Sequence, residues 1–283
     1  MKLVMLTSEL SKRFGDIKAL EYIKNAGFDG YDYSMFDHVK RSLFESDDYV
    51  KYAKELRKVS NDLNLPCLQA HAPSPFMRTI EEVEPLHKIF LRSIEIANII
   101  GCKIIVIHPG AFLTAEENKI YLYDKLLPYA KEMGVTIATE NMFKWKEGFE
   151  EIETVPASCG TAKDFVEHID LINHPNFTAC LDIGHAEMVN CEGAVKLIKA
   201  LGHDRLGALH VQDNDLFHDN HTLPFLGGIN WYEIAKALKE IDYKGHFTFE
   251  NNGFLVGFPN ELIPQALKLI EQTGRFIVKL IQN

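Results

Sequence analysis

The sequence predicts a single domain over residues 1–283 with the α/β architecture of a (β/α)8 TIM barrel. Three observations carry that expectation. Short apolar, β-branched runs alternate with helical patterns along the whole chain. Several of those runs stop on an acid or a histidine: IVIHPG at His108, TIATEN at Glu140, TACLDIGH at Asp182 and His185, GALHVQD at His210 and Asp213, and HFTFEN at Glu250. Strands usually end in turn residues, so repeated Glu, Asp and His ends fit a parallel barrel whose chemistry sits at the strand C-termini. The longer connections also follow strands, at residues 34–45, 72–80, 141–160 and 211–230, all on that same end.

In chain order, Lys2–Thr7 reads as a strand and Asp16–Ala26 as a helix that Gly27 ends. Phe28–Tyr33 is the second strand. Ser46–Leu63 is a long amphipathic helix, with Ser46 as N-cap and Asp47 and Asp48 at its positive end. Pro66–His71 is the third strand, and Glu81–Ile100 a helix that Gly101 ends. Lys103–His108 is the fourth strand. Ala115–Met133 is a helix, then Gly134 and the fifth strand, Val135–Glu140. The pairs Thr161–Ile169 with Phe177–Asp182, Gly193–Leu201 with Leu206–His210, and Trp231–Ile241 with His246–Glu250 continue the alternation. Pro259–Leu280 closes the chain as a helix. Inner runs such as KIIVI are almost wholly apolar, as burial on both faces of a parallel sheet requires.

The composition is that of a globular protein: 46% hydrophobic over 283 residues. No apolar run approaches the ~20 residues of a membrane span, and MKLVMLTSEL starts a strand without a signal-peptide pattern. The 5 cysteines form no C-x-x-C pair and read as reduced residues of a cytoplasmic protein. A formal charge of −10 disfavours nucleic acid as a partner. A homo-oligomer remains open.

Glu140, Asp182, His210 and Glu250 come from strands five to eight, which are neighbours in a barrel. Three carboxylates and one imidazole suit a single divalent ion, Mn²⁺, Mg²⁺, Co²⁺ or Zn²⁺. A capping or salt-bridging role explains any one of them alone, but four in register would need four coincidences. His185 follows Asp182 after Gly184, where a sharp turn would face it into the same cavity, as metal ligand or substrate contact. His71 and His108 end strands three and four, as substrate contacts or hydrogen-bonded core histidines. The loop from His210 adds Asp213, His218, Asp219 and His221, a set for extra metal or substrate, or a solvated loop. Gly227 and Gly228 could cradle a phosphate, although a plain turn accounts for them better. Phe143, Trp145 and Phe149, among Lys144 and Lys146, either stack on a sugar or pack their loop. The substrate-contact set is therefore His185, His108, His71, His221 and Trp145.

These residues resemble the xylose isomerase-like TIM barrels, which include sugar and sugar-phosphate isomerases and epimerases and the apurinic endonucleases. The resemblance runs over essentially the whole chain. It rests on H-P-G at His108, E-N at Glu140, D-x-G-H from Asp182, H-V-Q-D from His210, the D-x-H at Asp219, the run L-P-F-L-G-G-I-N-W and the terminal Glu250. It implies one divalent ion on Glu140, Asp182, His210 and Glu250, holding two adjacent oxygens of a sugar and stabilising an enediolate. Glu140 and Glu250 would then be the catalytic acid/base pair, and His185 a substrate contact.

Two departures stand out. The ketose 3-epimerases usually carry an arginine shortly after the strand-seven histidine, and residues 211–217 have none. The strand-two acid is Asp32 instead of glutamate. In the endonuclease members three zinc ions occupy positions matching His71, His108, Glu140, Asp182, His185, His210, Asp219, His221 and Glu250. The basic residues that would grip DNA (Lys40, Arg41, Arg78, Lys144, Lys146) are scattered among Asp37, Glu45, Glu147, Glu150 and Glu151. The expectation is a metal-dependent isomerase or epimerase acting on a sugar or sugar phosphate. A zinc-dependent endonuclease, an inosose-type dehydratase and a non-catalytic binding barrel are the alternatives.

Overall fold

The computed structural model describes residues 1–35, 43–75, 77–145 and 154–283, without the Trp145 side chain. The strands are β1 (Leu3–Leu6), β2 (Gly30–Ser34), β3 (Cys67–His71), β4 (Ile104–Val106), β5 (Thr136–Glu140), β6 (Phe143–Trp145), β7 (Thr154–Pro156), β8 (Phe177–Asp182), β9 (Leu206–His210) and β10 (Phe247–Phe249). Eight of them form one parallel sheet in the order β10-β1-β2-β3-β4-β5-β8-β9. The ring closes where Val211 bridges Phe249: Val211 N–H donates to the Thr248 carbonyl at 2.8 Å, and Glu250 N–H to the Val211 carbonyl at 3.0 Å. The expected (β/α)8 barrel is present.

Side chains alternate across each strand. Ile105, Ile137, Ala179, Leu181 and Leu209 join the large core under the helices, whereas Val106, Ala138, Cys180 and Ala208 form a separate small cluster within the barrel. Those four side chains are small, so the barrel interior has room for polar groups. Asp32, Gln69 and Thr248 occupy it, all essentially inaccessible to solvent. Outside, Phe90, Phe165 and Phe249 are among the largest fully buried side chains of a mainly aliphatic core, each stabilising the fold by about 1.5–3 kcal/mol.

The terminal helix, Ile263–Gln282, packs over the neighbouring strands β10 and β1. Gly274 makes the approach possible: a Cβ there would lie 2.4 Å from a Leu3 methyl and 2.5 Å from the Phe249 ring. Gly27, Gly101 and Gly134 end their helices in the left-handed region, as expected.

Several elements differ from the sequence expectation. A helix over Ser8–Phe14 precedes the first expected one. The helix expected from Ser46 begins at Tyr49; the Ser46 hydroxyl instead accepts from Asp48 N–H in a local turn. The Ala115–Met133 helix contains a π-helical stretch at Asn118–Tyr123 and Pro128 inside its last part. The loop after β5 carries the antiparallel pair β6–β7. Among the described residues, no helix is long and apolar enough to cross a membrane.

Candidate metal centre and active site

Glu140 and His210 are the last residues of β5 and β9, Asp182 ends β8, and Glu250 follows β10. One ligand atom from each of the four lies within 4.8 Å of the others. The His210 Nδ1 faces Glu140 Oε2 at 3.1 Å and Glu250 Oε2 at 3.2 Å. All four residues are buried, Glu250 being the most exposed at 7%. Glu140 Oε2, Asp182 Oδ2 and His210 Nδ1 have no hydrogen-bond partner. Orphaned buried carboxylate oxygens are costly unless a cation balances them. Three carboxylates and an imidazole therefore fit a divalent ion, and these atoms are the ones that would hold it.

The local chain explains how Asp182 serves two tasks. It is the N-cap of the Ile183–Glu187 helix, and its Oδ1 accepts from His185 N–H at 2.6 Å. Oδ2 is left for the centre. Asn141 clamps the adjacent strand ends, donating to the Asp182 carbonyl at 2.9 Å and accepting from Asp182 N–H at 2.8 Å. Gln212 donates to Asp219 Oδ1 at 2.6 Å and to Asp182 Oδ1 at 3.3 Å. Gly184 is needed for Gln212, because a Cβ would lie 2.1 Å from the amide nitrogen. Its backbone is helical, which corrects the expected sharp turn.

Two further donor groups flank the centre. On one side His71 and His108 meet Nε2 to Nε2 at 3.1 Å, with His108 Nε2 3.1 Å and His71 Nε2 3.7 Å from Glu140 Oε2. On the other, Asp219 Oδ2 lies 3.4 Å from His185 Nε2 and 3.0 Å from His221 Nε2. His71, His185 and His221 each aim Nδ1 at a backbone carbonyl, of Ala72 at 2.7 Å, Asn141 at 3.0 Å and Glu250 at 3.0 Å. An N–H held that way fixes the ring and presents Nε2, the arrangement of a metal-ligating histidine. His221 adopts φ 47°, a left-handed backbone that a non-glycine residue takes at some cost.

Charge is unevenly distributed here. Burial raises Asp182 to about 6, and Glu140, Glu250 and Asp219 add to that against the opposing His185. Burial works against ionisation of Glu140 too, but His210 and His108 outweigh it and hold that carboxyl well below the usual range. Burial likewise opposes the charged form of His221, yet Asp219 and Glu250 lift it to about 10. His185 rises well above its ordinary value against burial, through Asp182 and Asp219.

The centre opens into a cavity of about 340 Å³, whose walls include Ser74, Phe143, Lys144 and Asn252 as well as the flanking histidines. The Lys144 ammonium lies 4.7 Å above the Phe112 ring, and the Phe143 ring packs edge-on against His185 at 5.0 Å. The structure thus brings together Glu140, Asp182, His210, Glu250, His185, His108, His71 and His221. Trp145 has its backbone in β6, but its side chain lies outside the described residues, as do Phe149, Lys40, Arg41, Lys146, Asp37, Glu147, Glu150 and Glu151, whereas Glu45 is described and exposed.

Asp213 belongs to the loop rather than the centre. Its carboxylate accepts from Trp231 Nε1 at 2.8 Å and from the backbone of Asn214, Phe225 and Ile229. Gly227 permits that packing, since a Cβ would lie 2.2 Å from the Asn214 carbonyl oxygen. This supports the plain turn over a phosphate cradle. His218 is half exposed and pairs with Asp215. Sequence reasoning missed Asn141, Gln212, Ser74 and Asn252. The only signal was proximity in sequence to Glu140, His210, Glu250 and, for Ser74, His71, because uncharged polar residues carry no ligand spacing of their own.

The chain is similar to known proteins over most of its length. An uncharacterized protein of Methanocaldococcus jannaschii is 24% identical over 238 residues, covering 79% of this chain and 76% of that protein. An L-ribulose 3-epimerase of a Methylomonas species is 26% identical over 150 residues, covering 53% of this chain and 45% of the enzyme. Among solved structures, a D-tagatose 3-epimerase-like protein superposes with a TM-score of 0.77 at 20% identity, over 100% of this chain and 98% of its own. The family profile described as "Xylose isomerase-like TIM barrel" matches residues 20–273, and the chain belongs to that family.

Proposed function

We propose that this protein is a divalent-metal-dependent isomerase or epimerase of a small polyhydroxylated carbonyl compound, a sugar or sugar phosphate. The convergence of Glu140, Asp182, His210 and Glu250, with orphaned oxygens on Glu140 and Asp182, carries the reading. When bound, a divalent ion there supplies Lewis-acid polarisation of a carbonyl and its neighbouring hydroxyl. The two glutamates move the proton. Each has an oxygen beside the His210 ring, so a carbon acid seated over the centre would lie within reach of both. One carboxylate removes the proton and the other returns it, to the opposite face for epimerisation or to the next carbon for isomerisation. His185 and His221 have Nε2 beside Asp219 and can bind sugar hydroxyls, and the cavity volume of about 340 Å³ suits a ligand of that class. The names of the L-ribulose and D-tagatose 3-epimerase relatives support the same substrate class.

One observation favours a second reading. His185, Asp219 and His221 form a separate donor set beside the first, as a multi-ion phosphodiesterase would need. The net charge of −10 weighs against a polyanionic strand as substrate.

The test is a panel of ketoses, free and phosphorylated, incubated with Mn²⁺-loaded protein in D₂O. Deuterium at a carbon next to the carbonyl, with epimer or isomer formation, is the expected result. Cleavage of abasic DNA with no ketose turnover would replace this reading with the second. Loss of water from an inositol-like ketone would replace it with a lyase.

A further inference from the structure

Beneath the centre lies a carboxylate that the proposed reaction does not use. Asp32, on β2, is wholly buried. Its Oδ2 accepts from Gln69 Nε2 at 2.8 Å. Gln69 is held in turn, its Nε2 3.4 Å from the Leu209 carbonyl and its Oε1 3.3 Å from the Thr248 hydroxyl. The same Asp32 Oδ2 stands 3.6 Å from His210 Nε2. Asp32 Oδ1 and both ring nitrogens of His210 lack hydrogen-bond partners. The His71 ring stacks on His210 at 5.2 Å and 12°, which fixes its plane.

The two nitrogens of His210 thus face different partners, Nδ1 the metal-ligating carboxylates and Nε2 Asp32. A neutral imidazole that gives one lone pair to a cation must carry its hydrogen on the other nitrogen. In a buried site that N–H needs an acceptor, and a carboxylate there also makes the ligating nitrogen more basic. We propose that Asp32 is a positioning residue for the centre: it accepts the His210 Nε2–H and so keeps Nδ1 unprotonated toward the cation. The 3.6 Å separation exceeds a formed hydrogen bond, so the assignment requires Asp32 to approach the stacked His210 ring by a few tenths of an ångström, to about 3 Å, when the cation binds. Packing alone does not account for a carboxylate here. An isosteric amide would fill the space without burying a charge whose second oxygen is unpartnered.

This assignment rests on the metal-centre reading, and the experiment separates the two. Mn²⁺ and Zn²⁺ affinities are measured by competition with a chromophoric chelator for wild type, Asp32→Asn and His210→Ala. The Co²⁺ ligand-field spectrum and the melting temperature of the metal-free protein are recorded alongside. Asp32→Asn should bind about 10–100-fold more weakly, with an altered Co²⁺ spectrum and a metal-free melting temperature equal to or above wild type. If Asp32→Asn does not fold, Asp32→Ser, which leaves room for a water, is measured with the same expectation. Binding lost in His210→Ala but unchanged in the Asp32 variant, with an unaltered Co²⁺ spectrum, overturns the role of Asp32 alone. A lower metal-free melting temperature with unchanged affinity also overturns it, as a structural role. A wild-type protein that binds no divalent ion overturns the centre and the assignment together.

Discussion

Asp182 divides its oxygens between fold and site: Oδ1 caps a short helix while Oδ2 stays unpartnered beside Glu140, His210 and Glu250. Its carboxyl is raised from an ordinary 3.8 to about 6, chiefly by burial. A raised folded-state value means that this group's contribution to metal-free stability is full below 3.8 and is lost as pH rises through about 6. His221, lifted to about 10 by Asp219 against burial, acts in the same direction, its contribution fading as pH climbs through that value. Between about pH 5 and about pH 8 Asp182 gives up its proton while His221 keeps its own, and a divalent ion would balance the carboxylate charge so formed. Zn²⁺ or Mn²⁺ should therefore raise the melting temperature more at about pH 8 than at about pH 5; an equal rise at both would show that Asp182 is not a ligand. Glu140→Gln and Glu250→Gln should each abolish turnover with little change in melting temperature, and near-normal activity in either would refute the two-glutamate mechanism. The candidate ligand residues were legible in the sequence because a strand ending on Glu, Asp or His is conspicuous. Asn141, Gln212 and the place of Asp32 under His210 were not, because the barrel brings them together from separate strands and loops.

Strand ends and one loop do the positioning at the level of elements. The loop from Val211 to Asn230 folds around Asp213, whose carboxylate collects the Trp231 indole N–H and three backbone N–H groups. Asp219 and His221 ride on that loop. Asp213→Ala would strand buried donors, each costing about 1–3 kcal/mol, and should lower the melting temperature. Loss of ligand affinity at His221 should accompany it, read as slower or weaker Zn²⁺ uptake. A variant with wild-type stability would mean that Asp213 does not organise the loop. The sequence motif H-x-x-D drew attention to Asp213 as chemistry, whereas its role is architectural; spacing alone cannot separate a ligand from a carboxylate that gathers backbone N–H groups. The β6–β7 pair was equally hard to read, because each strand is 3 residues long, too short for the alternation of Phe143, Lys144 and Trp145 to stand out as a strand.

The whole molecule is a closed parallel ring whose interior is small and apolar around Ala138, Cys180 and Ala208 and polar around Asp32, Gln69 and Thr248. That layering leaves the strand C-termini free to converge on one cavity. The barrel was legible because strand and helix periods alternate throughout and because acids and histidines recur at the same end of successive strands. The boundaries were less so: His108 lies beyond the end of β4 and the Ser8–Phe14 helix precedes the first clear helical period. The central claim is that Glu140, Asp182, His210 and Glu250 hold a catalytic divalent ion. Elemental analysis of protein purified without chelator, repeated after titration with Mn²⁺ and Zn²⁺, tests it most directly. About one ion per chain is expected, lost in Asp182→Ala and in His210→Ala. A protein that takes up no divalent ion, or that keeps its ion in both variants, would contradict it.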